Sequence, residues 1–145
     1  EVSPHTSYPV PHQLKRRPPR KIIINAAGSC YDLLEMFHSI NLEYFVGKVS
    51  ASITWGSKGP RKAAARRTLG SYCSVNNMIR INPMLDNRGV PRYFVEFIVY
   101  HEMLHADMGI ERNTARRTLH SKAFKRREKL FRSYDRAIAW EKKRW

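Results

Sequence analysis

The most constraining feature of this chain is the segment His101-Glu102-Met103-Leu104-His105. Apolar residues recur at helical spacing through 91–108, and Pro91 and Gly109 suit the start and the end of a helix. Histidines four residues apart lie one turn apart on the same helix face, so both imidazoles can reach one metal ion. Two unpaired imidazoles on a largely apolar helix would be costly. We therefore expect one zinc ion here, because zinc accepts nitrogen ligands in tetrahedral geometry.

A catalytic zinc needs a third protein ligand and an open fourth position. In the pattern HExxHxxGxxH the third histidine would fall at position 111. That position is Glu111, so this pattern is not present. The candidates downstream are His120, Glu111 and Glu128. We prefer His120, because the loop from His105 is long enough to return and Ser121 suits the start of the last helix.

Glu102 stands beside the first histidine, where its carboxylate can take a proton from water. Zinc lowers the pKa of water toward about 7, which gives a nucleophile at neutral pH. This combination predicts a zinc endopeptidase with Glu102 as the general base. Two other hypotheses stay open: a nucleic-acid-binding protein with a structural zinc, and a zinc-dependent nuclease acting on RNA. A purely structural site has no use for a base at position 102, which favours the peptidase.

The rest of the chain predicts an α+β domain with the order helix, strands, helix, helix. The patterns predict a helix over 29–45 that is capped by Ser29, a half-buried strand over 48–55 and a loop over 56–67. They also predict a hairpin over 70–81 that turns at Asn76-Asn77, and a long basic last helix over 121–140. Five prolines and a terminal basic cluster predict a disordered arm over 1–21, followed by one domain over 22–145.

The sequence contains no run of about 20 apolar residues, so it predicts no membrane-spanning helix. The two cysteines form no CxxC pair, which excludes a disulfide scaffold and fits a reducing compartment.

The charge balance predicts a polyanionic partner. Lys and Arg number 27 against 12 Asp and Glu, for a net charge of +15, so we expect binding to nucleic acid. Cations that flank the expected metal site would hold a DNA backbone near it, including that of single-stranded DNA. The candidate nucleic-acid contacts are cations from two dense basic blocks: Arg61, Lys62, Arg66, Arg67, Arg116, Arg117 and Lys122. Trp55 and Tyr72 are candidates for stacking on bases, although the alternation around Trp55 favours a place in the core.

The chain resembles the SprT-like (Spartan-related) zinc metalloprotease family over about 30–135. The resemblance rests on ordered short motifs: Asn41-x-x-Tyr44-Phe45, Ile53-Thr54-Trp55, Gly70-x-Tyr72, Ile79-x-Ile81, His101-Glu102-Met103-Leu104-His105-Ala106 and His120-x-x-x-Phe124. One departure is Ser121, where the family often has glycine.

This resemblance implies a zincin-like domain with an N-terminal helix, a small sheet with a hairpin, an HExxH helix and a C-terminal basic helix. It implies His101, His105 and His120 as the zinc ligands and Glu102 as the general base. It also implies hydrolysis of proteins bound or crosslinked to DNA, and hence a part in DNA–protein crosslink repair. The expected location is the cytoplasm or nucleoid of a bacterium, or the nucleus of a eukaryote.

Overall fold

The computed structural model describes residues 24–57, 68–109 and 120–144, and shows the α+β architecture that the sequence predicts. Within these ranges the elements are α1 (Leu33–Phe45), β1 (Ser52–Trp55), β2 (Gly70–Cys73), β3 (Met78–Ile81), a 3₁₀ turn (Pro83–Leu85), α2 (Arg92–Met108), α3 (Lys122–Glu128) and α4 (Tyr134–Arg144). The predicted arm over 1–21 lies outside the described residues.

Helix α1 begins later than the sequence predicts, because its N-cap is Asp32 and not Ser29. The Asp32 carboxylate accepts a hydrogen bond from the Leu34 N–H at 3.0 Å. The N–H of Ser29 instead donates to the distant carboxylate of Asp86 at 2.7 Å. The helix ends at Val46, whose φ of 54° is left-handed. Ser29 therefore belongs to the segment that leads into the helix.

The sheet has the strand order β1-β3-β2. Strands β2 and β3 form the predicted antiparallel hairpin, but Cys73 pairs with Met78, so the turn takes all of residues 74–77 and not Asn76-Asn77 alone. Asn77 adopts the positive φ, 53°, that asparagine tolerates in a turn. Strand β1 pairs in parallel with β3, placing Ile53 opposite Ile79. Strand β1 is shorter than the predicted strand. Thr54 is buried, and its hydroxyl is satisfied there by a hydrogen bond that it accepts from the Asn25 N–H at 2.8 Å.

Helix α2 is the central element, in contact with α1, α3, α4, β2 and β3. It runs from Pro91, its N-cap, to Gly109, its C-cap, as predicted. Nine of its residues are buried: Phe94, Val95, Phe97, Ile98, Val99, Tyr100, Glu102, Met103 and Leu104. The HExxH segment therefore belongs to a helix that is packed against three other helices and the sheet.

The single last helix that the sequence predicts over 121–140 is two helices. Between α3 and α4 the backbone turns, with the Phe131 N–H donating to the Glu128 carbonyl and the Tyr134 N–H donating to the Phe131 carbonyl. The turn buries Phe131, whose ring lies 5.2 Å from that of Tyr100, and leaves Leu130 exposed. The apolar residues of 121–140 therefore do not share one face, because Leu130 is exposed where Phe131 is buried.

Candidate metal centre and active site

The structure brings the side chains of His101, His105 and His120 together. The Nε2 atoms of His101 and His105 each lie 3.2 Å from Nε2 of His120. One ligand atom from each of the three residues lies within 4.8 Å of the others. Two of these histidines stand one turn apart on α2, and the third lies immediately before α3.

This arrangement fits a zinc ion. Three nitrogens that each lie about 2.0–2.1 Å from one ion at tetrahedral angles are about 3.3–3.4 Å apart, close to the 3.2 Å separations observed. His101, His105 and His120 are the residues that would hold the ion. Three histidine ligands leave a fourth position open, as catalytic zinc sites do.

His120 is positioned by the start of α3. Ser121 is the N-cap, and its Oγ accepts a hydrogen bond from the Phe124 N–H at 3.2 Å. Helix α3 is joined to α2 by the Tyr100 hydroxyl, which donates to the Arg127 carbonyl at 2.6 Å, and by an ion pair between Arg127 and Asp107 at 2.8 Å. The serine that departs from the family pattern thus acts as the helix cap.

The buried ring of Phe124 supports all three imidazoles. Its centroid lies 5.0 Å from that of His101, 4.5 Å from that of His105 and 4.9 Å from that of His120. The sequence places Phe124 on an apolar face but gives no sign of this role. Its four-residue spacing from His120 is the one signal that could have suggested it.

Glu128, one of the alternative third ligands, contacts the opposite nitrogen of a histidine. Its Oε2 lies 2.7 Å from Nδ1 of His101. A carboxylate here accepts a hydrogen bond from the Nδ1–H group and so leaves the Nε2 lone pair of His101 directed at the cluster. Glu128 is therefore an orienting partner of His101 in this structure, while Glu111 lies outside the described residues.

The surroundings keep two of the histidines in the neutral form that binds metal. Burial, reinforced by the positive charge that His101 and His120 can carry, lowers the pKa of His105 to about 4. Burial and His101 also lower the pKa of His120. Neutral imidazole is the form that coordinates a metal ion.

Glu102 is buried, at 5 % exposure, and makes no hydrogen bond with the described residues. Burial raises the pKa of its carboxyl to about 7, and the nearby His101 opposes this rise. Its side chain lies against Gly70 of β2, where a Cβ atom would come within 3.1 Å of Oε2. Glycine at position 70 therefore provides the room that this carboxylate occupies.

A cavity of about 240 Å³ adjoins His101 and Glu102. Its walls come from β2, α2, α3 and α4, and its lining residues are Leu69, Gly70, Phe97, Ile98, His101, Glu102, Glu128, Ile138 and Glu141. The carboxylate of Glu102 is thus both nearly buried and next to a space that another molecule can enter.

Of the predicted nucleic-acid contacts, the structure describes Lys122, which is exposed on the first turn of α3. The other six lie outside the described residues: Arg61, Lys62, Arg66, Arg67, Arg116 and Arg117. Trp55 is 9 % exposed and belongs to the core, as the alternation around it predicts, and it is not available for stacking on bases. Tyr72 is half-buried and donates its hydroxyl to Asn77 Oδ1 at 2.8 Å.

None of the helices in the described ranges combines the length and the apolar character needed to cross a bilayer.

The comparisons with known proteins agree with this geometry. The model of the SprT-like family matches residues 33–140. The crystal structure of the metallopeptidase zymogen of Methanocaldococcus jannaschii jannalysin is similar in fold, with a TM-score of 0.55 at 14 % sequence identity, over 78 % of this chain and 93 % of that one. A search of the curated proteins found no match.

Proposed function

This chain belongs to the SprT-like family, and from that premise we propose that it is a zinc-dependent endopeptidase that hydrolyses proteins bound or crosslinked to DNA. Family and fold together support a metalloprotease. The observation that carries the proposal is the pairing of three converging imidazoles with one nearly buried carboxylate, Glu102, which has no hydrogen-bond partner among the described residues. A structural metal site would leave such a carboxylate without a purpose.

The chemistry that zinc supplies when bound is Lewis acidity, which lowers the pKa of water and polarises a peptide carbonyl. Glu102 accepts the proton that the attacking water loses and then delivers it to the nitrogen of the departing amine. The three histidines present their Nε2 atoms on one side of α2 and α3, and Glu128 keeps the His101 ring in its orientation. Burial of Glu102, which is 5 % exposed, excludes most competing water from its carboxylate.

The charge distribution supports recruitment to DNA. The net charge is +15, and Lys122, Lys125, Arg126 and Lys129 are exposed along α3 and its end. None of these four forms an ion pair with the described residues, whereas Arg127 is paired with Asp107. Unpaired cations beside the three-histidine site are available to phosphates, which would hold a DNA-bound substrate near it. On this proposal the protein acts where DNA is, in a nucleoid or a nucleus.

The test is cleavage of a basic, DNA-binding protein by the zinc-loaded chain with and without single-stranded DNA, with RNA as an alternative substrate. We expect protein cleavage that DNA stimulates, and no RNA cleavage. Glu102→Gln keeps the side chain's shape and should retain zinc and DNA while losing about 10²–10⁴-fold in rate. If Glu102→Gln functions as the parent does, the protein is instead a nucleic-acid-binding protein with a structural zinc. Cleavage of the RNA substrate would identify a nuclease.

DNA affinity is a separate part of the test. Because phosphate contacts release counterions, the affinity should fall steeply between about 50 and 200 mM salt. Neutralising Lys122 together with Lys125 should lower the salt slope by about one to two units, whereas neutralising Arg127, which is already paired, should change it less. An affinity that does not respond to salt would contradict the recruitment part of the proposal and leave the peptidase part standing.

A further inference from the structure

Part of the lining of the cavity beside Glu102 is apolar, and its apolar side chains come from three segments of the fold. Leu69 contributes from the segment before β2, Phe97 and Ile98 from α2, and Ile138 from α4. At about 240 Å³ it is smaller than the roughly 300–1,000 Å³ of pockets that enclose a whole small-molecule ligand. Its size and walls suit one long side chain with an apolar stem.

The charge of the cavity is opposite to that of the chain as a whole. Among the residues that the structure describes, three carboxylates line it, those of Glu102, Glu128 and Glu141, and no Lys or Arg does. The chain has 12 acidic against 27 basic residues, so three acids around one small cavity stand out from a basic background. Such a cavity attracts a cation and repels an anion.

The three carboxylates are not equally available. Glu102 faces the reacting bond in the proposed mechanism, and Glu128 is engaged by His101 at 2.7 Å. Glu141 forms neither a hydrogen bond nor an ion pair with any described residue. It stands three residues after Ile138 on α4, so the two side chains share a helix face.

The nearly buried carboxylate of Glu102 is the second observation that points to an occupant. At 5 % exposure it lines the cavity and has no hydrogen-bond donor among the described residues. The cavity is therefore continuous with the place where the scissile bond must lie. A substrate side chain next to that bond would enter it.

We propose that this cavity is the pocket for a Lys or Arg side chain of the substrate next to the scissile bond, and that Glu141 determines this specificity. The proposal rests on the peptidase function proposed above. The aliphatic stem packs between Phe97, Ile98 and Ile138, and the cationic end pairs with the Glu141 carboxylate. A hydrogen bond to a charged group in a half-buried site should favour Lys over an uncharged residue of similar length by about 10–100-fold.

The experiment uses the zinc-loaded full chain and a set of otherwise uncharged peptides. In each peptide a single Lys, norleucine or Glu is moved along the sequence, and mass spectrometry identifies the bond that is cut. We expect cleavage beside Lys with kcat/KM about 10–100 times that beside norleucine, and the least cleavage beside Glu. Glu141→Gln should reduce this preference with little effect on the norleucine peptide, and Glu141→Lys should favour Glu over Lys.

Asp135→Asn is the matched control, because Asp135 is an exposed acid on the same helix that does not line the cavity. It removes the same charge and should leave the preference unchanged. A second measurement, fluorescence anisotropy of labelled peptides bound to zinc-loaded Glu102→Gln, reports the same preference without cleavage.

The outcomes separate the two proposals. Equal cleavage beside Lys and norleucine, or an equal loss on both peptides in Glu141→Gln, would overturn the pocket assignment and leave the peptidase intact. Absence of any cleavage by a zinc-loaded chain would overturn the peptidase, and with it the pocket.

Discussion

Nδ1 of His101 lies 2.7 Å from Oε2 of Glu128, across 27 residues of sequence. The contact joins α2, which carries two of the three histidines, to the end of α3, which begins next to the third. One carboxylate therefore orients a histidine and holds together the two helices on which the site depends. The side chain of Glu128 is only 17 % exposed, so water competes little for the bond.

Loss of the Glu128 carboxylate should weaken zinc binding while the three histidines remain. Partners of a ligand's other ring nitrogen typically contribute about 10–100-fold to metal affinity, and we expect a loss in this range for Glu128→Ala. Glu128→Gln should lose less, because its amide oxygen can still accept a hydrogen bond from the Nδ1–H group. Competition with a chelating dye measures both. Glu43→Gln, which removes an exposed acid paired with Arg132, is the control that should keep full affinity.

His120→Ala should weaken zinc binding more than Glu128→Ala does. The first removes a nitrogen that lies 3.2 Å from each of two other nitrogens, and the second removes only an orienting partner. Two ligands on one helix cannot complete the coordination of zinc. The same dye competition shows which of the two variants binds zinc more weakly. If His120→Ala binds zinc as the parent does, the third ligand is another residue.

Much of the site could be predicted because its signals are local. The four-residue spacing of His101 and His105, with Pro91 before them and Gly109 after, defines both the helix and the face that it presents. Asn77 likewise marks the hairpin turn by its tolerance of positive φ. In each case a short segment contains both the residues and the physical reason for their conformation.

The features that the sequence did not predict depend on distant contacts. Ser29 does not cap α1: Asp32 does, and the N–H of Ser29 donates to Asp86, 57 residues away. The break between α3 and α4 contains no Gly or Pro, and the apolar spacing of Phe124, Phe131 and Ile138 continues across it. Glu128 could be recognised as a candidate ligand from its type, but its place behind His101 depends on how α3 returns to α2.

The hydroxyl of Tyr100 should contribute to stability and not to zinc affinity. It donates to the Arg127 carbonyl at 2.6 Å and joins α2 to α3 inside an aromatic cluster. Tyr100→Phe removes this bond, and the carbonyl keeps the Leu130 N–H at 3.0 Å, so the free energy of unfolding should fall by about 0.5–1.5 kcal/mol. Urea denaturation measures this, and zinc titration of the folded variant should match the parent. A variant as stable as the parent would show that water replaces the hydroxyl.

Gly70→Ala should lower the catalytic rate through the position of Glu102. An added Cβ would lie 3.0 Å from Cγ2 of Ile98 and 3.1 Å from both Cγ and Oε2 of Glu102. Ile98 is buried in the core and has little room to move, so the carboxylate must shift. Contacts of this length require a shift of a few tenths of an ångström. Since about 1 Å at a reacting group can cost about 10²-fold, we expect kcat to fall by about 2–10-fold. Zinc affinity should remain, since no histidine is touched.

The control for Gly70→Ala is Gly56→Ala. A Cβ at position 56 would meet the Ile81 carbonyl at 3.6 Å and the Pro83 ring at 3.7 Å, which is ordinary contact. This variant should therefore cleave at the parental rate. Overpacking at position 70 also destabilises the fold, by about 1–3 kcal/mol, so rates are compared at a temperature where both variants are folded by circular dichroism. Parental kcat in folded, zinc-loaded Gly70→Ala would mean that Glu102 does not act from the position beside β2, and its assignment as the base would then fail.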